Sequence, residues 1–319
     1  MLDAELAQVL SMKLDDFKTL LQDSTHVGGN TAWPTDSRLM VKLITRMLHI
    51  GAGLDRLGLP SFGSTEAETI LNRMIVLNRE IDFAKGKKGA QRKRRRHYQR
   101  LLKMSGRAHE LLTAQISTTT DVLLALDVRP GQKAQASRAL DCLRADLIAL
   151  EKVRAACDAR IIRNEKVPVS EKILSLSDPD AGFISKGQRD PVIGYKPQIA
   201  RSGGGFIIGL LLPQGNAPDA QQLIPMVIDV MSRTQVIPSV VSVDDGYASL
   251  DNKKALNKLE IDVISINGAK GKALTAAADW ASEEYADARD KRSAVESVMF
   301  TLKDGFDFGE VARRGLEAV

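Results

Sequence analysis

A lone strand-forming run stands far upstream of the strands it needs as partners, and that separation constrains the fold of this chain more than any other feature. Phe17-Lys-Thr-Leu-Leu-Gln-Asp23 reads as a single strand after a short helical lead-in. From about Ser37 to Lys166 the apolar residues then recur three and four apart, as at Ile70, Leu71, Met74, Leu77 and Ile81, which is the period of a helix face. Strands return only after about Ser175. A solitary strand has no stable home, so the first run must pair with the later sheet. The helical block is then an insertion.

The later zone alternates. Val192 to Ile199 and Phe206 to Leu212 flank Ser202-Gly-Gly-Gly205 and read as a hairpin. A helix over Asp219 to Arg233, a strand over Ser239 to Val243, a short helix over Asp251 to Leu259 and a strand over Ile261 to Ile266 follow. One long helix over Ser282 to Asp304 closes the pattern, ended by Asp304-Gly305. The fold class is α/β, a mixed sheet with flanking helices. The expected division is 1–36 for the first strand and its lead-in, 37–170 for the helical insertion, and 171–319 for the rest of the core. Within the insertion, turns are expected at Gly51 to Gly63, Lys85 to Ala90 and Val128 to Gln132.

The 319 residues are 44% apolar, enough to bury a large core. Cys142 and Cys157 have no partners at metal-ligand spacing, and a disulfide scaffold is excluded. Both are expected to be small buried helix residues. The longest apolar run, Phe206 to Pro213, is too short to span a bilayer, and a reducing cytoplasm fits the composition. The net charge of +5 permits a polyanionic partner. Its distribution says more. Lys85 to Arg96 holds eight cations in twelve residues, and Arg100 and Lys103 follow. A run this dense is solvated or bound to a polyanion. Lys87, Lys88, Arg92, Lys93, Arg94, Arg95 and Arg96 are candidate nucleic-acid contacts.

Three carboxylates are candidates for chemistry. Asp23 and Asp244 each close an apolar run at a strand end, where α/β sheets gather ligands. Glu296 lies in the final helical pattern. There Arg289, Arg292, Glu296 and Lys303 fall within an arc of roughly 60°, beside an apolar face of Val295, Met299 and Leu302. Asp245 competes with Asp244, and Asp36, Asp178 and Asp180 are further acids at turn-like positions. Three carboxylates about 4 Å apart repel by roughly 4 kcal/mol per pair at an effective dielectric near 20. Two divalent cations would relieve that repulsion and clamp both oxygens of an in-line phosphoryl displacement.

Asp23-Ser-Thr25, Pro34-Thr-Asp-Ser37, Ser177-Asp-Pro-Asp-Ala181, Asp244-Asp-Gly-Tyr247 and Arg292-x3-Glu296-x6-Lys303 occur in that order. Together they resemble the DDE transposases of bacterial insertion sequences. The resemblance implies a ribonuclease-H-like core interrupted by an insertion, with Asp23, Asp244 and Glu296 as ligands to two Mg²⁺ ions, for which Mn²⁺ can substitute. It implies hydrolysis and strand transfer on double-stranded DNA at element ends and target. Arg292 and Lys303 would touch DNA, a homodimer would form in the DNA complex, and the protein would sit on the bacterial nucleoid. Arg289 stands where the family commonly has Tyr. Only about twenty residues precede Asp23, so the expectation is a chain truncated at its N-terminal DNA-recognition region. The competing readings are an inactive DNA-binding remnant and a ribonuclease-H-like nuclease acting on RNA or hybrids.

Overall fold

The computed structural model describes residues 2–31, 33, 35–60, 65–84, 89–125, 129–185 and 190–318. Helix α1 (Leu2–Ser11) leads into strands β1 (Thr19–Ser24) and β2 (Val27–Gly28). Helices α2 (Asp36–Asp55), α3 (Thr65–Phe83), α4 (Ala90–Ala125) and α5 (Pro130–Cys157) follow, with no strand between them among the described residues. Then come β3 (Gly182–Ile184), β4 (Val192–Tyr195), β5 (Gln198–Ser202), β6 (Ile207–Leu211), α6 (Leu223–Thr234), β7 (Val240–Val243), α7 (Leu250–Lys258) and β8 (Val263–Ile266). Four helices complete the described order: α8 (Ala269–Leu274), α9 (Ala277–Trp280), α10 (Glu283–Lys291) and α11 (Ala294–Gly305). The chain divides into two compact units, residues 1–32 with 177–319, and residues 33–176.

The helical unit is a ring of four helices in which α2 and α4 each pack on both α3 and α5. Thr35 starts α2 by accepting a hydrogen bond from the Arg38 amide, so one orphan donor of the first turn is satisfied. Met40, Leu43, Ile44 and Met47 then place one fully buried stripe inward at helical spacing. Met74, Leu101, Leu112, Leu143 and Leu150 supply the facing stripes. Asp146 is buried against this core, and its carboxylate is gripped at both oxygens by Arg46, as a buried charge requires. Gly51 does not end α2, which runs on to Asp55 with Gly51 buried in the packing. Cys157 is buried as expected, and burial pushes its thiol up. Cys142 is exposed, on the outer face of α5.

In the mixed unit the lone first strand does find partners. The five-stranded sheet has the order β6-β5-β1-β7-β8, with β1 at its centre. β5 and β6 are antiparallel neighbours on one side, while β7 and β8 run parallel to β1 on the other. This mixed sheet with flanking helices is consistent with a ribonuclease-H-like core. Alternation sorts the two faces of β1. Leu20 points into a core with α1, α6 and α7 residues such as Leu6, Met226, Val230 and Leu256. Leu21 points the other way, against Val295 and Met299 of α11. The hairpin at Ser202 to Gly205 forms, with Gly205 at φ 104°, a conformation that favours glycine.

Three elements differ from the sequence reading. Val192 to Ile199 is not one strand. Pro197 cannot donate to a sheet ladder, and the run breaks at Lys196-Pro197. Its first half, β4, joins a small antiparallel sheet with β2 and β3, and its second half, β5, joins the main sheet. The long helix over Ser282 to Asp304 is likewise two helices. At the junction the Arg292, Val295 and Glu296 amides donate three residues back, to Arg289, Arg292 and Ser293, so the i→i−4 ladder is interrupted. The helix from Asp219 also begins with a separate 3₁₀ turn, Asp219–Gln221, before α6.

Candidate active site

The sheet register brings the first two acids to neighbouring strand ends. Leu20 pairs with Val241 and Leu21 with Ser242 across the parallel β1–β7 ladder, which stops there. Carried on by two residues, that register would bring Asp23 level with Asp244, just past the end of β7. Asp23 shares the face of Leu21, and Asp244 shares the face of Ser242, opposite Val241 and Val243. Both therefore leave the sheet on the side that α11 covers. Val295 and Met299 anchor α11 there, and Glu296 sits in its first turn, where the helix dipole favours a carboxylate.

Arg292 ties the pieces together. Its guanidinium lies 3.5 Å from Asp23 Oδ2 and donates to Glu296 Oε1 at 2.8 Å. One cation thus touches an acid from the first strand and an acid from the last helix. Asp23 is nearly buried, and its Oδ1 accepts from the Ser24 amide at 2.6 Å. Asp244 is half-buried and accepts from the Gly246 amide at 2.8 Å, an Asx turn that ends β7. A side chain at 246 would put its Cβ 3.0 Å from Asp244 Oδ1, so the carboxylate would have to give by a few tenths of an ångström. As they stand, no three acidic, histidine or cysteine side chains among the described residues are close enough together to hold a metal ion. The donor chemistry nevertheless fits a hard divalent cation, being all carboxylate oxygen. Arg292 already places positive charge between two of the three acids.

The rival acids have other partners. Asp245 Oδ1 accepts from the Lys270 and Gly271 amides at 2.8 and 3.0 Å, capping α8. Asp178 accepts from the buried Tyr195 hydroxyl at 2.7 and 2.9 Å. Asp180 accepts from the Leu316 amide. Asp36 belongs to the helical unit and pairs with Arg160 at 3.2 Å.

Sequence reasoning missed a polar network on the opposite face of the same strand ends. Gln22 Nε2 donates to Gln198 Oε1 at 3.1 Å, and the Tyr247 hydroxyl donates to the same oxygen. Gln198 Nε2 donates to Asp219 Oδ1 at 2.8 Å, and Lys196 Nζ donates to Asp219 Oδ2 at 3.0 Å. Asp219 also interacts with Ser24, next to Asp23, and borders Gly246, in the Asp244 turn. Burial alone would push the Asp219 carboxyl up. Hydrogen bonds from Gln198 and Lys196, with the lysine charge, outweigh it and hold the carboxyl below its ordinary range. Burial, and then the charges of Asp219, Asp23 and Asp244, push the Tyr247 phenol far up, so it stays a neutral donor. The sequence signal was a glutamine in each strand run, Gln22 and Gln198, which a hairpin reading does not explain.

The cations divide between places. Lys303 lies two turns along α11 from Glu296 on one face. Arg289 does not share that face. It is on α10, beyond the break, and its guanidinium lies 5.7 Å from the Trp280 ring centroid. Arg92, Lys93, Arg95 and Arg96 are exposed in the first turns of α4, and Arg94 lies over Tyr98 at 5.7 Å. Lys87 and Lys88 lie outside the described residues.

A mixed sheet delivering paired strand-end acids to a helix-borne glutamate is the frame of a nucleotidyl-transfer enzyme. The chain belongs to the DDE transposase family: the family described as "Transposase DDE domain" matches residues 151–319, more than half of its length. The match covers Asp244, Arg292 and Glu296, whereas Asp23 reaches the site through the sheet. No curated protein and no solved structure matches. Transposases of this family generally use divalent metal ions and act on DNA. No helix among the described residues is long and apolar enough to cross a membrane.

Proposed function

We propose that this protein is the catalytic part of an insertion-sequence transposase, hydrolysing phosphodiesters at the element ends and transferring the freed strand to target DNA. The observation that carries the reading is the joint placement of Asp23, Asp244 and Glu296 on one side of the sheet, with Arg292 between the first and the last. Asp23, Asp244 and Glu296 would hold two Mg²⁺ ions, or Mn²⁺ in their place. Bound there, the metals would neutralise charge on the attacking and leaving oxygens.

The chain's own residues do the positioning that phosphoryl transfer chiefly needs. Arg292 fixes the Glu296 carboxylate and limits the repulsion between it and Asp23. The α11 face from Glu296 to Lys303 offers a lysine to a phosphate two helical turns from the acid. The Gln198–Asp219–Lys196 network holds the two strand ends from behind. A water or a DNA 3′-hydroxyl gives up its proton to solvent and attacks phosphorus, the new O–P bond forms as the old one breaks, and the 3′-oxygen departs in line and takes up a proton. The cationic first turns of α4, together with Arg289, supply further contacts to double-stranded DNA. A homodimer would pair two element ends.

The test is metal-dependent nicking and joining of an element-end duplex by the full chain and by Asp244→Asn. Activity in the parent that falls at least 100-fold in Asp244→Asn supports the reading. Equal activity in both overturns it, and DNA binding without any metal-dependent cleavage in the parent favours an inactive remnant.

A further inference from the structure

A second feature lies in the helical unit. Between α3 and α4 an open groove of about 740 Å³ runs along the bundle surface. Its rim carries Arg73 from α3 and Arg100, Lys103 and Arg107 from α4, and its floor is the apolar Ile70, Leu77 and Met104. All four cations are exposed.

The α4 cations are ordered, not scattered. At 100° per residue, Arg96, Arg100, Lys103 and Arg107 fall within an arc of about 60°. They span about 16 Å of helix axis, the length of roughly five successive phosphates on one strand of a duplex. An ordinary solvated helix face alternates charge sign at i,i+4. Here the first acid along α4 is Glu110, and the first turn has none. Four basic residues, Arg92 to Arg95, therefore stand at the positive end of the helix dipole, which disfavours them. Arg107, in this stripe, is held by Glu66 at 3.1 Å and Glu110 at 3.5 Å, both exposed. Such a surface pair is worth little and exchanges readily for a phosphate. Across the groove, Arg73 faces the same space from the other wall.

We propose that the α3–α4 groove is a sequence-independent binding tract for the backbone of double-stranded DNA, with Arg73 on one wall and the Arg96-to-Arg107 stripe on the other. The proposal rests on the reading of the chain as a DNA-acting transposase. It adds a site on the inserted helices that would grip DNA without reading its bases, since phosphate contacts position but do not specify.

The experiment is fluorescence anisotropy with a labelled random-sequence duplex, titrated with the full chain at several salt concentrations. The groove variant is Arg73→Glu, Arg100→Glu, Lys103→Glu. A control with two reversed charges on another helix, Arg138→Glu, Lys152→Glu, uses exposed cations of α5. Both are checked for parental helicity and melting. The groove variant should bind at least tenfold more weakly, and its log K against log salt slope should shrink by about two to three. The control should lose less than threefold. Parental binding in the groove variant, or a loss no larger than the control's, overturns the groove while leaving the transposase reading intact. Preference of the parent for a single strand over the duplex also overturns it. Groove-dependent duplex binding with no metal-dependent cleavage supports the groove and counts against the catalytic reading.

Discussion

Asp244 and Asp245 are adjacent in sequence and separate in contacts. In the sequence they were rivals, because both follow the same apolar strand. The backbone sends them to different places: Asp244 continues the alternation of β7 toward the α11 side, while Asp245 turns to cap α8. Lys196 was invisible for the opposite reason. Read within a continuous strand it is one more surface lysine, yet the break at Pro197 leaves it nearly buried on Asp219. Removing one partner of such a pair strands the other charge. Lys196→Met should cost about 3 kcal/mol at neutral pH, read as a fall in thermal midpoint. The pH dependence has a definite sign. In the parent, the depressed Asp219 carboxyl contributes stability that is present above the ordinary carboxylate pKa of about 3.9 and lost as pH falls through its lower folded value. In Lys196→Met, burial is opposed only by the Gln198 and Ser24 hydrogen bonds and the carboxyl rises, so acidification toward pH 5 should narrow the gap to the parent. A gap that stays constant from pH 8 to pH 5 would contradict this account.

At the scale of elements, α11 is the part whose placement matters most to the site. It holds Glu296 by burying Val295 and Met299 against Leu21 and Ile199, so the acid is positioned by apolar contacts one residue and three residues away. Met299→Ala should cost about 2–4 kcal/mol as a cavity opens. It should also lower cleavage more than it changes DNA affinity, as Glu296 loses its fixed place. Unchanged single-turnover cleavage in a folded Met299→Ala protein would show that α11 does not position the acid. The sequence made this face legible, because Val295, Met299 and Leu302 follow helical spacing. The break before it was not legible. Arg289 to Val295 contains neither proline nor glycine, and at the junction Arg292 reaches across to Asp23. Periodicity counts residues along one chain and cannot register a contact to a strand some 270 residues away.

For the molecule as a whole, the first strand and its late partners were readable because a lone strand demands a sheet. The small sheet of β2, β3 and β4 was not, since its strands are two to four residues long, too short to carry a period. The helical unit draws its core from its own helices, from Leu39 to Cys157. Residues 33–176 alone should therefore fold to a helical, cooperatively melting domain, and a non-cooperative melt would contradict an independent core. The mixed unit depends on chain segments from both sides of that insertion, and so does its candidate site.

The claim that Asp23, Asp244 and Glu296 act as one site is tested most directly by Mn²⁺ binding to the full chain, followed by electron paramagnetic resonance. Asp23→Asn, Asp244→Asn and Glu296→Gln should each weaken binding at least tenfold, while Asp245→Asn leaves it unchanged. Parental affinity in any of the three, or a loss in Asp245→Asn as large as theirs, would contradict the account.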